Sequence, residues 1–254
     1  MNEQNKNDRA GWLKGPPAEC SVLPGETQSP WRLVLLGAPG VGKGTQADLL
    51  HERLNACHLS TGDVFRAAGR RSDCEQTPAM TAAMDYMRRG ALVPDSTVWE
   101  MVCERSGCIR CRGGFILDGF PRTLAQAESL KALMENERLS LSAVVNYELP
   151  LAEIVSRLSG RRTCEKCRAV FHVTRQPSRA EGLCDHCGGR LYQREDDRPE
   201  SITVRLEVYE HSTAPLIRFY KDLNLLAPVA ATGSPDEICD RTITALQKRL
   251  PVKS

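Results

Sequence analysis

Arg32-Leu33-Val34-Leu35-Leu36 runs directly into Gly37-Ala38-Pro39-Gly40-Val41-Gly42-Lys43-Gly44-Thr45, and the reading of this stretch decides the fold. A short apolar run ending in glycine is the pattern of a buried parallel strand. The nine residues that follow match G-x-x-x-x-G-K. Gly44 stands where Ser or Thr usually follows the lysine, and the hydroxyl comes one place later, at Thr45. Glycines let backbone N–H groups turn inward around an anion, and a helix starting near Lys43 adds the positive end of its dipole. Lys43 then reaches the outer phosphates as a mobile point charge. Ala47, Leu49, Leu50 and Leu54 give the next segment an amphipathic helical pattern, so strand, loop and helix come in the order a triphosphate-binding loop requires. Gly40, Val41, Gly42, Lys43, Gly44 and Thr45 are the expected nucleoside triphosphate site.

Outward from this loop, strand candidates recur at Phe115–Asp118, Ala143–Glu148 and Leu226–Ala230, separated by helical patterns. Strands alternating with helices imply an α/β protein: a phosphate-loop core with a parallel sheet covered on both faces. Pro150 opens a helix running to about Ser159, and Pro235 opens the last one. The chain has 254 residues, 34 Lys+Arg against 32 Asp+Glu, and a formal charge of +2. That near-balance argues against a protein that coats nucleic acid. No apolar run approaches the ~18–20 residues needed to cross a bilayer. Residues 1–30 are polar, include Glu3, Asp8, Glu19 and Glu26, and lack an apolar signal-peptide core. They read as a disordered extension, with the cytoplasm as the expected compartment.

Between residues 160 and 198 the helical period gives way to Cys, Gly and charged residues, which marks a separate insert. Cys164-x₂-Cys167 and Cys184-x₂-Cys187 are separated by 16 residues, within the range for two knuckles sharing one Zn²⁺. Four thiolates fill a tetrahedral shell and leave no open position, so such a site is structural. It would staple a module too small to sustain its own core. His172 and His186 are the competing donors and read as solvated or packing residues. Cys108-Ile109-Arg110-Cys111 has no partner pair, and Cys20, Cys57, Cys74, Cys103 and Cys239 read as structural or incidental. An odd total of 11 cysteines with two metal-type pairs fits a reducing compartment.

Three further segments narrow the class: Ser60-Thr61-Gly62-Asp63 with Arg66; Gly90-Ala91-Leu92-Val93-Pro94-Asp95; and Gly114-Phe115-Ile116-Leu117-Asp118-Gly119-Phe120-Pro121-Arg122-Thr123 leading to Gln126. With the G-K-G-T ending of the loop, the chain closely resembles adenylate kinase from about Trp31 to near its C-terminus. The resemblance implies a core of residues 31–59, 94–159 and 199–254, a mobile helical monophosphate-binding insert at 60–93, and a lid at 160–198. Long-form members carry a lid there, in many stapled by zinc. It further implies that Thr61, Ala91, Leu92 and Val93 line the acceptor nucleoside, along with Gly119, Phe120 and Pro121. Gln126 would read the adenine edge, and Arg66 and Arg122 would grip the monophosphate. On the donor side it implies Arg157, Arg161 and backbone contacts near Gly233 and Ser234, with Val170 and Phe171 covering the base. Arg194 and Arg205 would reach the acceptor and the transferring group. Asp118, with Asp63 the weaker candidate, would hold waters on Mg²⁺, while Asp196 and Asp197 would tie the closed lid by ion pairs. Gly69-Arg70-Arg71-Ser72-Asp73-Cys74 makes the acceptor segment longer than the family pattern.

What this resemblance implies is reversible phosphoryl transfer from ATP to AMP by a monomer with no nucleic-acid or membrane partner. Lys43, Arg122, Arg161, Arg194 and Arg205 would be the catalytic cations. The acceptor oxygen belongs to a phosphate that is already anionic, so no general base is needed, and alignment, charge neutralisation and exclusion of water suffice. Rival readings are a kinase for another monophosphate, a binding module using the zinc ribbon, and a regulatory pseudo-enzyme. A GTPase would need an Asn-Lys-x-Asp segment, which does not occur.

Overall fold

A computed structural model describes residues 30–68, 78–104, 109 and 114–249. The expected N-terminal extension, the Gly69–Cys74 lengthening, the Cys108–Cys111 pair and Cys20 therefore lie outside the described residues, apart from residue 30 of the extension.

Five parallel strands form the central sheet: β1 (Trp31–Leu36), β2 (Cys57–Ser60), β3 (Gly114–Asp118), β4 (Ala143–Glu148) and β8 (Leu226–Ala230), in the order β2-β3-β1-β4-β8. Helix α1 (Lys43–Leu54) follows β1, and α2 (Thr61–Ala68), α3 (Pro78–Arg88) and α4 (Asp95–Glu104) lie between β2 and β3. After β3 come α5 (Leu124–Asn136) and, beyond β4, α6 (Leu151–Ser159). Helices α7 (Pro199–Val208) and α8 (Pro215–Asp222) precede β8, and α9 (Pro235–Gln247) closes the described chain. Separate apolar clusters cover the two faces of the sheet. One is built on Val34, Phe115, Leu117 and Leu130, the other on Leu33, Leu35, Leu50 and Ile116. Adjacent residues on one strand thus face opposite cores, which is why β1 reads as continuously apolar.

The connection from β1 runs outward to β2 at the sheet edge, whereas the connection from β3 crosses over β1 to β4. The strand order therefore reverses between β1 and β3, and open α/β sheets bind ligands in the crevice beyond the carboxyl ends at such a point. The parallel register pairs Leu35 with Asp118, so the loop after β1 and the end of β3 share that crevice.

Strand β2 is the element the apolar pattern does not announce. Its four residues are buried, but His58 and Ser60 are polar, and a short strand with polar alternation carries little signal. Residues 161–192 form a second, antiparallel sheet in the order β6-β5-β7, with β5 at Arg161–Cys164, β6 at Val170–His172 and β7 at Leu191–Tyr192. Its apolar centre is only Cys164, Phe171 and Cys184, with Ala169 and Leu191 against them. So small a core needs a staple.

Candidate active site

The loop after β1 wraps around its own lysine. Gly37 holds φ +134, and a Cβ there would stand 2.6 Å from the Tyr147 carbonyl oxygen of β4, so only glycine lets the loop press against the sheet edge. Gly42 caps α1 at φ 102, with no side-chain cap, which leaves the first N–H groups of the helix free for an anion. Lys43 Nζ donates to the carbonyls of Gly37 (2.7 Å) and Ala38 (3.0 Å). Thr45 is half-buried in the first turn of α1, while Val41 is buried at its foot. Gly40 lies in the turn, and a Cβ at Gly44, in the first turn of α1, would lie 3.5 Å from Asp118 Oδ2. The β3 carboxylate thus stands directly at the loop.

An open, concave cleft lies beyond this loop, the kind of surface where small-molecule sites occur. Lys43, Arg66, Arg122 and Arg205 all line it, with Asp196 as the acidic member. Each cation comes from a different place in the chain, and long-range bonds fix them. The Arg122 N–H donates to Gln126 Oε1 (2.8 Å), and the Arg122 carbonyl accepts from Thr213 Oγ1 (2.9 Å). Thr213 belongs to a π-helical turn at Tyr209–Thr213 between α7 and α8, a feature often found at functional positions. Arg205 Nη1 lies 3.1 Å from Asp196 Oδ2 and 3.0 Å from Asp197 Oδ1. Arg161 forks onto the same Asp197, with its Nε 2.7 Å from Oδ2. Asp197 is fully buried, so it joins Arg161 and Arg205 into one unit, and both carboxylates are in ion pairs as the sequence suggested. Arg194 Nε donates to Thr163 Oγ1 (3.0 Å). Arg157 spans the loop and the end of β8, donating to Val41 O (3.3 Å) and Ala231 O (2.9 Å).

A second recess of about 350 Å³ opens beside the first. Thr61, Ala91, Leu92, Val93, Gly119 and Arg122 line it, together with Gln126, so most of the residues expected around the acceptor meet in one place. Thr61 Oγ1 donates to Gly119 O (2.9 Å). Gln126 is held at both ends of its amide: Oε1 accepts from Arg122, and Nε2 donates to Asp95 Oδ1 (2.6 Å). Asp95 also accepts from Thr123 Oγ1 (2.8 Å).

Two ring placements differ from the expectation. Phe120 does not line the cleft. It is 1% exposed and stacks on Trp99 in the core, while its neighbour Pro121 does line it. Phe171 is likewise buried, inside the cysteine module, so its ring is unable to cover a base, whereas Val170 is exposed. At Ser234, where the expectation was of backbone contacts, the hydroxyl caps α9 by accepting from the Glu237 N–H. Asp63, the weaker magnesium candidate, is paired with Arg66 at 2.8 Å.

His58 was not anticipated. Its Nδ1 lies 3.1 Å from Asp48 Oδ1 and its Nε2 3.5 Å from Asp118 Oδ2, so a buried imidazole backs the carboxylate at the loop. Burial alone would raise the Asp118 carboxyl, but His58 and the charge of Lys43 together hold it below the usual range.

Crowding of like charges leaves its mark. Burial, with Arg122, Arg205 and Arg161 nearby, pushes Lys43 down to about 8 despite Asp118. Burial and the charges of Arg66 and Arg161 push Arg194 down to about 9. These cations repel one another until an anion arrives. The unfolded chain holds the Lys43 proton up to its ordinary value near 10.5, so burial of the lysine destabilises the empty protein below pH 8. That penalty fades as pH rises through 8 towards 10.5. A polyphosphate restores the proton, so its binding at pH 8.5 should take up protons. Calorimetric titration in buffers of differing ionisation enthalpy measures the uptake. It should vanish in Lys43→Met, and an equal uptake in that variant would assign the proton elsewhere.

In the second sheet, Cys164, Cys167, Cys184 and Cys187 bring their sulfurs within 4.8 Å of one another. The Cys164–Cys187 and Cys167–Cys184 separations are both 3.5 Å. A tetrahedral zinc with ~2.3 Å Zn–S bonds requires sulfur–sulfur edges of about 3.8 Å, so the four thiols fit that ion. His186 tilts against the Phe171 ring at 5.9 Å, and His172 bonds to the backbone of its own turn and of α6. His172 is thus half-buried against α6, while His186 is exposed.

A glycine-rich loop at the switch point of a parallel sheet, with cations converging on one cleft beside a second recess, defines a phosphate-loop phosphotransferase. Comparison with known proteins is in accord. The adenylate kinase family model matches residues 35–225. The chain is 48% identical to the adenylate kinase of Streptomyces coelicolor over 85% of its own length and 99% of that protein. It is 46% identical to that of Carboxydothermus hydrogenoformans and 47% identical to that of Thermodesulfovibrio yellowstonii, covering 85% and 86% of this chain and the whole of each relative. The chain belongs to the adenylate kinase family, a group of nucleoside monophosphate kinases. Among the described residues, no helix is long and apolar enough to cross a membrane.

Proposed function

We propose that the protein catalyses reversible, Mg²⁺-dependent transfer of the terminal phosphoryl group of ATP to AMP, yielding two ADP and balancing the adenine nucleotide pool. The observation that carries this reading is the shared cleft: Lys43 of the phosphate loop and Arg66, Arg122 and Arg205 from three other elements face one volume, with the Gln126-lined recess alongside. Residues 31–59, 94–159 and 199–254 form the core, residues 60–93 hold the monophosphate, and residues 160–198 form the lid. The loop residues Gly40 to Thr45, with Arg157 and Val170, take the ATP side. Thr61, Arg66, Ala91, Leu92, Val93 and Gln126 take AMP.

The chemistry required is in-line approach of two bound phosphates with neutralisation of the charge between them. Lys43 supports the outer phosphates of the donor. Arg66 and Arg122 hold the acceptor phosphate through forked contacts that a lysine does not reproduce. Arg161, Arg194 and Arg205 complete the positive surround as the lid excludes water. Asp118, with His58 behind it, is placed to hold the water shell of a Mg²⁺ accompanying the triphosphate, and such an ion supplies further charge neutralisation.

The four cysteines would hold a closed, structural Zn²⁺. Removing the metal should lower the melting temperature by several degrees while turnover at 25 °C falls less than about twofold. Calorimetry of chelator-treated and zinc-replete protein checks this, and identical melting curves would overturn the structural role. The function itself is tested by a coupled assay for ADP formation from ATP plus AMP, with UMP, CMP and GMP as alternative acceptors and zinc content measured on the same sample. A preference for any acceptor other than AMP would replace this reading with a related kinase. We take the working form to be a cytoplasmic monomer, which sedimentation of the active sample tests.

A further inference from the structure

We infer that Arg168, on the first cysteine knuckle of the lid, is a positioning residue for Arg66, clamping Asp63 from across the cleft. The inference rests on the assignment of Arg66 to the acceptor phosphate.

The two knuckles are near copies of each other. The Cys164 N–H donates to Ala169 O at 2.9 Å, and the Cys184 N–H to Gly189 O at 2.8 Å. The return bonds run from the Arg168 N–H to Cys164 O (3.2 Å) and from the Gly188 N–H to Cys184 O (2.8 Å). The residue making the return bond is left-handed in both, with φ +63 at Arg168 and +66 at Gly188. Glycine adopts that backbone at no steric cost, whereas an arginine does not. One knuckle therefore carries the residue the turn favours, and the other retains a strained one. Strain of this kind persists where the side chain serves another end.

The side chain shows that end. Arg168 is largely shielded, and its Nη1 lies 3.5 Å from Asp63 Oδ1 in the first turn of α2. The same oxygen lies 2.8 Å from Arg66 Nη2. A single carboxylate oxygen thus links a lid arginine to a cleft arginine. With Asp63 shared between two cations, Arg66 keeps uncompensated positive charge for a phosphate. Without Arg168, Asp63 turns more fully to Arg66 and screens it. Another ion pair between these regions, Arg88–Glu195, has both side chains more than half exposed, and such pairs contribute little. Because the Arg168 backbone is held by the cysteine turn, the knuckle fixes where the clamp sits.

The test uses the zinc-replete, full-length protein. R168G should raise KM for AMP about threefold to tenfold, with kcat and KM for ATP changing less than about twofold. Its melting temperature should stay level or rise, because the backbone is relieved. R168K, which keeps the charge, should recover most of the KM loss, and R168A should match R168G in KM with a lower melting point. An unchanged KM for AMP in R168G overturns the inference. So does an R168K variant as impaired as R168G, or a KM loss in R168G accompanied by a matching loss of stability. Wild-type protein assayed alongside separates the levels. No turnover of AMP by wild type brings down the function reading and this inference together, whereas normal wild-type turnover with an unchanged R168G brings down the inference alone.

Discussion

Lys43→Met should lower kcat for ADP formation by about three orders of magnitude while the melting temperature stays within a few degrees of wild type. In the empty protein the ammonium is satisfied by two loop carbonyls, Gly37 and Ala38, yet burial and three neighbouring arginines hold its proton loosely. Methionine forfeits the two hydrogen bonds but also removes a charge the empty site disfavours. The two effects on stability oppose each other. In the transition state nothing offsets the loss, because the charge developing on the transferred group then lacks its nearest mobile cation. The coupled assay and a thermal melt on the same preparation check both halves. Turnover above a tenth of wild type would remove Lys43 from the mechanism.

Arg122→Ala carries the second large effect. We expect kcat/KM for AMP to fall by about 10³-fold or more, the scale of an arginine that meets a phosphoryl transition state. Arg122→Lys should restore little of it, since a point charge does not replace a planar fork on a phosphate. The fold should survive, because the bonds that pin this loop use the Arg122 backbone: its N–H to Gln126 and its carbonyl to Thr213. Among the described residues, the side chain itself donates only to Gly119 O. Burial and the nearby Arg205 charge already hold the guanidinium below its ordinary pKa, so truncation relieves repulsion in the empty cleft. Steady-state kinetics with AMP varied, paired with a melt, distinguishes this outcome from misfolding. A variant with wild-type kcat/KM would place the acceptor phosphate elsewhere.

Elements that bury a continuous apolar run or carry a glycine constraint were legible along the chain. The strand before the loop, Phe115–Asp118, Ala143–Glu148 and Leu226–Ala230 all appear within a residue of the expected bounds, because strands covered on both faces read as unbroken hydrophobic stretches. The cysteine spacing was equally readable, since two-residue loops confine each pair. Strand β2 was missed because His58 and Ser60 interrupt the apolar pattern, and their burial depends on partners such as Asp48 that sit on another element. The burial of Phe120 and Phe171 was not legible for the converse reason: they lie within or beside motif segments, but their rings turn into cores that adjacent residues do not reveal.

What the sequence determined by itself is the local chemistry: a loop whose glycines permit an inward-facing backbone, a lysine at its end, arginines in recognisable surroundings, and two thiol pairs at chelating distance along the chain. Tertiary structure alone decided which of these groups meet. The reversal of strand order between β1 and β3 sets Asp118 beside the phosphate loop, Asp197 ties Arg161 to Arg205, and Asp63 is shared between Arg66 and Arg168. Backbone preference acts over a few neighbouring residues, whereas electrostatic energy depends on distance through space. Only the folded chain sets those distances.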